Sequence, residues 1–267
     1  MLFVLLCFDK SPCCLGRDWK GNHCFPAEIM IVEISGLPFE INFRYSDCGN
    51  YFSPFCAEKV DAPLCSVSVT DADMEDALPY CRPRTAPAGV EMVALRRRFA
   101  AMLPQYQRCM YHGGAMRFHK KAFIFTAPSG TGKTTQAMHW LKQYPDAASI
   151  LNGDKPILQF CENGEILVHA SPWQGKENFG YNHEPFPLAA LVYLRQKPEN
   201  KLSEMTVSEA ILPLFGQFFC PDESENLYRK NSAFLEKILQ TIPVLLLENR
   251  GDPASAVLLH DALQERF

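Results

Sequence analysis

The stretch Lys121-Ala122-Phe123-Ile124-Phe125-Thr126-Ala127-Pro128-Ser129-Gly130-Thr131-Gly132-Lys133-Thr134-Thr135 decides the fold. Residues 121–127 form a short apolar run with β-type side chains, stopped by a glycine-rich turn. Residues 133–143 then carry the spacing of an amphipathic helix. Strand, glycine loop and helix in that order are the setting a Walker A motif requires. The glycines let the chain turn so that successive N–H groups of Ser129, Gly130, Thr131 and Gly132 converge on phosphate oxygens. The start of the helix adds partial positive charge behind them. Lys133 is then expected to reach the outer phosphates of ATP, the Thr134 hydroxyl to ligate Mg²⁺, and Thr135 to contact an outer phosphate. Two residues depart from the strict motif. Ala127 stands where it begins with Gly, and Pro128 removes one N–H donor. The competing reading is an ordinary strand-to-helix turn with a chance lysine.

A phosphate loop of this kind needs a carboxylate on a neighbouring strand. Asp154 follows the expected strand 148–151 within Asn152-Gly153-Asp154-Lys155, about twenty residues on. The Asp-Glu step and LSGGQ signature of ABC-type ATPases are absent, as is the NKxD step of GTPases. Asp154 alone would otherwise read as a turn residue.

With these residues in view, region 108–250 resembles the HPr kinase/phosphorylase-like, PEP-carboxykinase-like P-loop proteins. The resemblance rests on Tyr111-His112-Gly113, the Ser129 to Thr134 loop, Asn152-Gly153-Asp154 and Ser171-Pro172-Trp173-Gln174-Gly175-Lys176, followed by Asn182. It implies an α/β fold whose P-loop core is a mixed sheet with flanking helices, preceded by a small β-rich region. It also implies that His112 lies near the terminal phosphate. The family carries a pair of Asp residues where this chain has Gly153 and Asp154, so metal and base duties would fall together on Asp154. The family's Arg-Gly step is replaced by Gln174-Gly175-Lys176-Glu177-Asn178. In that loop Lys176 would neutralise phosphoryl charge and Glu177 would add a carboxylate near the metal. Arg250 would approach the phosphates from the C-terminal side.

The function implied is transfer of the γ-phosphoryl group of Mg–ATP to a hydroxyl of a protein, a peptide or a small molecule. His112, Lys133, Asp154 and Lys176 would carry the chemistry. The alternatives are a non-catalytic ATP-binding sensor and a carboxykinase-like enzyme. The family's hexamers make a homo-oligomer an expectation.

Outward from this core the chain divides into residues 1–27, read as a disordered leader, a β-rich region 28–105 with one helix, and a P-loop region 106–267. In the front region 28–35, 39–44 and 65–70 read as a small antiparallel sheet, 71–89 as irregular, and 90–103 as an amphipathic helix. That helix carries Val90, Val93, Ala94, Ala101 and Met102 inward and Arg96, Arg97 and Arg98 on a solvated face. Further strands are expected at 109–112, 156–160, 165–170, 188–194 and 244–248, and helices at 208–219 and 231–241. A last helix is expected to open with Asp252 as N-cap and Pro253 at its first position.

The 267 residues carry 26 Lys+Arg against 30 Asp+Glu, a net charge of −4. No basic excess favours nucleic acid, and no run approaches the roughly 18 apolar residues a membrane span needs, so the expectation is a cytoplasmic chain. Of eleven Cys, the group Cys13, Cys14, His23 and Cys24 has poor spacing for zinc, and reduced thiols are the simpler reading.

Overall fold

The computed structural model describes residues 28–57, 62–175, 184–221 and 224–264. The expected leader and the Cys13, Cys14, His23 and Cys24 group lie outside them. The chain forms a mixed α/β structure with two mixed sheets and, among the described residues, seven α-helices. It divides into two compact units between Phe99 and Ala100.

In the first unit, β1 (Glu28–Ile34) and β2 (Leu37–Phe43) pair antiparallel across Ser35-Gly36, both with positive φ. Such a two-residue turn matches the twist of the strands. After the one-turn helix α1 (Gly49–Phe52), β3 (Ser66–Ser68) joins β2 in parallel, so the sheet is mixed rather than antiparallel. The chain must cross over the sheet to reach β3, and a crossover delivers a parallel strand.

The region read as irregular contains α2 (Asp71–Ala77). Thr70 accepts from the Asp73 N–H, and Asp73 accepts from the Thr70 N–H in return. This reciprocal cap is written in the sequence as Thr70-x-x-Asp73, with Asp in the place more often held by Glu. Helix α3 (Pro87–Met102) buries Val90, Ala94, Leu95 and Phe99. Ala101, expected inside, is exposed. The buried Glu91 carboxylate accepts the N–H groups of Arg44 (2.7 Å) and Tyr45 (2.9 Å), tying α3 to the end of β2. Burial raises its pKa, against these bonds.

The second unit is built on a nine-stranded sheet. Its strands are β4 (Arg108–Met110), β5 (Gly114–Phe118), β6 (Lys121–Thr126), β7 (Ala148–Asn152), β8 (Ile157–Phe160), β9 (Ile166–His169), β10 (Phe186–Gln196), β11 (Lys201–Glu204) and β12 (Val244–Asn249). Neither β5 nor β11 was expected from the sequence. The order along the sheet is β4-β8-β9-β10-β6-β5-β7, and β12 lies on β10 with β11 beyond it. The central strands β6, β10 and β12 run parallel.

The helices are α4 (Lys133–Gln143), α5 (Val207–Phe215), α6 (Glu225–Thr241) and α7 (Ala254–Leu263). Side chains of β6 alternate between two cores. Ala122 and Ile124 pack with Ala210 and Leu214 of α5 and Phe234, Leu235 and Ile238 of α6. Phe123 and Phe125 pack with Ala137 and Trp140 of α4 and Ala256, Leu259 and Leu263 of α7. Helices on both faces explain why residues 122–125 of β6 are all apolar instead of alternating with polar residues. Helix α7 opens after Pro253 as N-cap, not Asp252. The Asp252 carboxylate is taken instead by Asn200 and Arg250. No helix among the described residues is long and apolar enough to cross a membrane.

Candidate functional site

Strand β6 ends at Thr126 and delivers the chain into the loop 127–132. Gly130 and Gly132 both have left-handed φ (83° and 102°), and nothing lies within 4 Å of where a Cβ would sit. Conformation, not lack of space, therefore calls for glycine at these positions. Ser129 and Gly130 are exposed, while Ala127 is fully buried. The Thr131 hydroxyl donates to the Pro128 carbonyl (2.8 Å). Lys133 folds back so that Nζ donates to the carbonyls of Ala127 (2.8 Å) and Pro128 (3.2 Å). Loop carbonyls are thus occupied from within. No side chain caps the start of α4, whose first N–H groups stand at the loop with Thr134 and Thr135 exposed beside them. An uncapped helix start favours an anion.

Helix α4 is held in place from behind. Gln136, buried at its second turn position, donates to Asn249 Oδ1 (3.2 Å) and the Ser255 hydroxyl (2.8 Å). Ser255 donates in turn to the Asp252 carbonyl (2.6 Å). This closed network joins α4 to the end of β12 and the start of α7, fixing where the loop stands.

Asp154 sits in the turn after β7. Buried Asn152 accepts the N–H groups of Asp154 (3.0 Å) and Lys155 (2.7 Å) on Oδ1, and donates through Nδ2 to Ser171. The Asn side chain thereby shapes the turn that presents the carboxylate. Asp154 Oδ1 meets Lys155 Nζ at 3.0 Å and His112 Nε2 at 3.4 Å. Its Oδ2 takes no hydrogen bond or ion pair among the described residues.

His112 is anchored by its backbone. Its N–H donates to the Gln217 carbonyl (2.8 Å), and its carbonyl accepts the Thr126 hydroxyl (3.0 Å). The following glycine is obligatory: a Cβ at Gly113 would stand 2.4 Å from Ile124 Cγ2 and 2.9 Å from the Phe125 carbonyl oxygen. Close approach of the 112–113 step to β6 is what places the imidazole beside the loop. Burial, and then the charges of Lys155 and Lys133, push the His112 pKa down to about 4, against the pull of Asp154 and Gln217. Its imidazole is neutral at pH 7. Burial also lowers the Lys133 pKa, and Asp154 opposes that shift.

The structure thus brings together Ser129, Gly130, Thr131, Gly132, Lys133, Thr134 and Thr135 on one loop, with Asp154 and His112 in electrostatic reach of Lys133. Arg250 is not part of this group. It bonds Asp252 through its side chain and Asn200 through its N–H. Lys176, Glu177, Asn178 and Asn182 lie outside the described residues. The first part of their loop is buried rather than solvated: the Ser171 hydroxyl donates to the Lys155 carbonyl (2.6 Å), and the Trp173 carbonyl accepts the Lys155 N–H (3.2 Å).

No family model matches the chain, and no curated protein matches it. Among solved structures, the Hpr(Ser) kinase/phosphatase from Coxiella burnetii aligns with a TM-score of 0.36 and 10% identity, covering 58% of this chain and 88% of that one.

Sequence reading overlooked Lys155, Gln217 and the positioning roles of Asn152 and Gln136. Asn152-Gly153-Asp154 does carry the signature of a side-chain-organised turn, and that signal was available. Gln217 meets His112 only through tertiary folding, which leaves no local trace.

A buried histidine outside this group sets a pH limit on the fold. His169, on β9, bonds Gln159 Oε1 (2.8 Å), and burial followed by the charge of Arg108 lowers its pKa to about 4. Between that value and an ordinary histidine pKa of about 6.5, the unfolded chain binds a proton that the folded chain refuses. Stability is therefore full above pH 6.5 and falls as the pH drops towards 4, by on the order of 3 kcal/mol from His169. His112 acts in the same direction. Urea denaturation at pH 7 and pH 5 should show this loss, and His169→Gln should reduce it. Equal pH dependence in the two chains would contradict the assignment.

Proposed function

We propose that this chain is an ATP-dependent kinase that transfers the γ-phosphoryl group of Mg–ATP to a hydroxyl acceptor. The observation that carries the reading is the uncapped start of α4, behind a loop with two left-handed glycines, facing a Lys133–Asp154–His112 group. Backbone N–H groups of the loop and of the first turn of α4 bind the phosphates. Lys133 exchanges its loop carbonyls for phosphate oxygens and neutralises charge in the transition state.

The residues present suit Mg²⁺. Exposed Thr134 supplies a hydroxyl and Asp154 Oδ2 supplies an uncommitted carboxylate oxygen, a small donor set fitting an ion that keeps several waters. Magnesium, when bound with the nucleotide, supplies charge neutralisation between phosphates. Asp154, with Oδ2 uncommitted, also accepts the acceptor's proton. Lys155, 3.0 Å from its Oδ1, orients Asp154. His112 packs neutral beside the carboxylate and limits its movement.

Phosphoryl transfer needs little covalent help, so positioning accounts for most of the catalysis. The acceptor is a hydroxyl of a protein, a peptide or a small molecule. Incubation with γ-labelled ATP, Mg²⁺ and candidate acceptors tests the reading. Label moving to a hydroxyl supports it. Tight ATP binding without turnover would support the sensor reading, which Gly153 favours by removing a second carboxylate from the turn.

A further inference from the structure

A cavity opens at the far end of β6, beside Lys121, whereas the glycine loop follows Thr126. The length of the strand separates the two by roughly 17–20 Å. The cavity has a volume of about 620 Å³ and is lined by Arg117, His119, Lys120, Lys121, Asp146 and Ala147. Three permanent cations thus share it with one carboxylate, in a chain whose net charge is −4. That local reversal of sign calls for a reason.

Arg117 provides one. It lies in β5 between β6 and β7, opposite Ala122 and Ser149. Its guanidinium carbon stands 5.8 Å from the Phe186 ring centre, and its Nε is buried without a hydrogen-bond partner. Arg44, Arg98 and Arg250 each hold an aspartate. Among the described residues, no carboxylate lies within ion-pair distance of Arg117 or Lys120. Cations left without a carboxylate repel one another, and a bound anion relieves that repulsion.

The cavity wall is also built rather than loose. The His119 N–H donates to the Ala147 carbonyl (3.0 Å), and its ring lies 4.3 Å from that of Phe118, which fixes the β5–β6 turn against the segment before β7.

We infer that this cavity binds a small polyanion, a phosphate ester or oligophosphate, at a site separate from the glycine loop. Its volume lies within the range of small-molecule sites. A guanidinium flanked by ammonium groups provides directional donors and point charges suited to phosphate oxygens.

The probe is inorganic pyrophosphate, titrated by calorimetry into the full chain at low ionic strength. Two sites are expected in the wild type, and one in Lys133→Ala, which disables the loop. Adding Lys120→Glu, at an exposed position the fold tolerates, should weaken that remaining site by about tenfold or more, and Arg117→Gln should do the same. Pyrophosphate should also raise the thermal midpoint of Lys133→Ala, and Lys120→Glu should remove that rise.

Absence of heat with Lys133→Ala overturns the inference, as does an affinity unchanged by Lys120→Glu. Binding of a polyglutamate peptide in place of pyrophosphate assigns the patch to a protein partner and also overturns it. Failure of the loop reading looks different. Lys133→Ala would then match the wild type, while Lys120→Glu would weaken all the binding there is.

Discussion

Lys133→Ala is expected to lower phosphoryl transfer from Mg–ATP by about 10²–10³-fold, the usual loss when one preorganised donor is removed from developing transition-state charge. The fold should survive. Lys133 bonds only the carbonyls of Ala127 and Pro128 in its own loop, so its loss breaks no side-chain hydrogen bond between separate elements. Circular dichroism should therefore be unchanged. Because burial already lowers the lysine's pKa, the charge arrives at the phosphates partly stripped of water, which strengthens its effect. Full turnover in Lys133→Ala would remove the loop from the mechanism.

The second large effect falls on Asp154. Asp154→Asn keeps the shape of the side chain but removes both its charge and its ability to take a proton, and transfer should fall by about 10²–10⁴-fold. The Asn152-organised turn does not depend on the Asp154 side chain, so the backbone there should hold. Charge loss has a second consequence. Lys155 is buried and pairs with Asp154 at 3.0 Å, so the substitution takes one negative partner away from a buried ammonium group. A modest drop in thermal midpoint should accompany the kinetic loss. Asp154→Glu, restoring charge on a longer arm, should recover stability before it recovers rate. Undiminished Mg²⁺-dependent transfer in Asp154→Asn would place the base and metal duties elsewhere.

Legibility of this molecule in its sequence follows from the range of the interactions involved. Helix α4 begins and ends where its periodicity places it, because Gly132 marks one boundary and the apolar spacing runs out at the other. Strand β6 is equally clear, since burial on both faces writes an unbroken apolar run. By contrast β5, Gly114-Ala115-Met116-Arg117-Phe118, is short and carries two small residues and a charge, so nothing local marks it as a strand held between β6 and β7. Edge strand β11 is half-exposed and polar for the same reason that edges usually are.

The site divides in the same way. The glycine loop, Lys133 and Asp154 could be read because each is bound to a local turn. His112 was legible only through the His-Gly step, whose physical cause is now visible: Gly113 lies against Ile124 and the Phe125 carbonyl with no room for a Cβ. Lys155 was passed over because a lysine beside an aspartate looks like an exposed pair. Its backbone is held by Trp173 and Ser171, both more than fifteen residues downstream. The network of Gln136, Asn249 and Ser255 spans 113 and 119 residues of chain, beyond any sequence pattern.

The central claim is that the N–H groups around residues 129–134 hold a polyphosphate. Isothermal titration of the purified full chain with ATP and Mg²⁺ tests it most directly. Saturable heat with a loop component that Lys133→Ala removes and that weakens when Mg²⁺ is withheld is the predicted result. A flat titration with ATP, GTP and every other nucleoside triphosphate would contradict it.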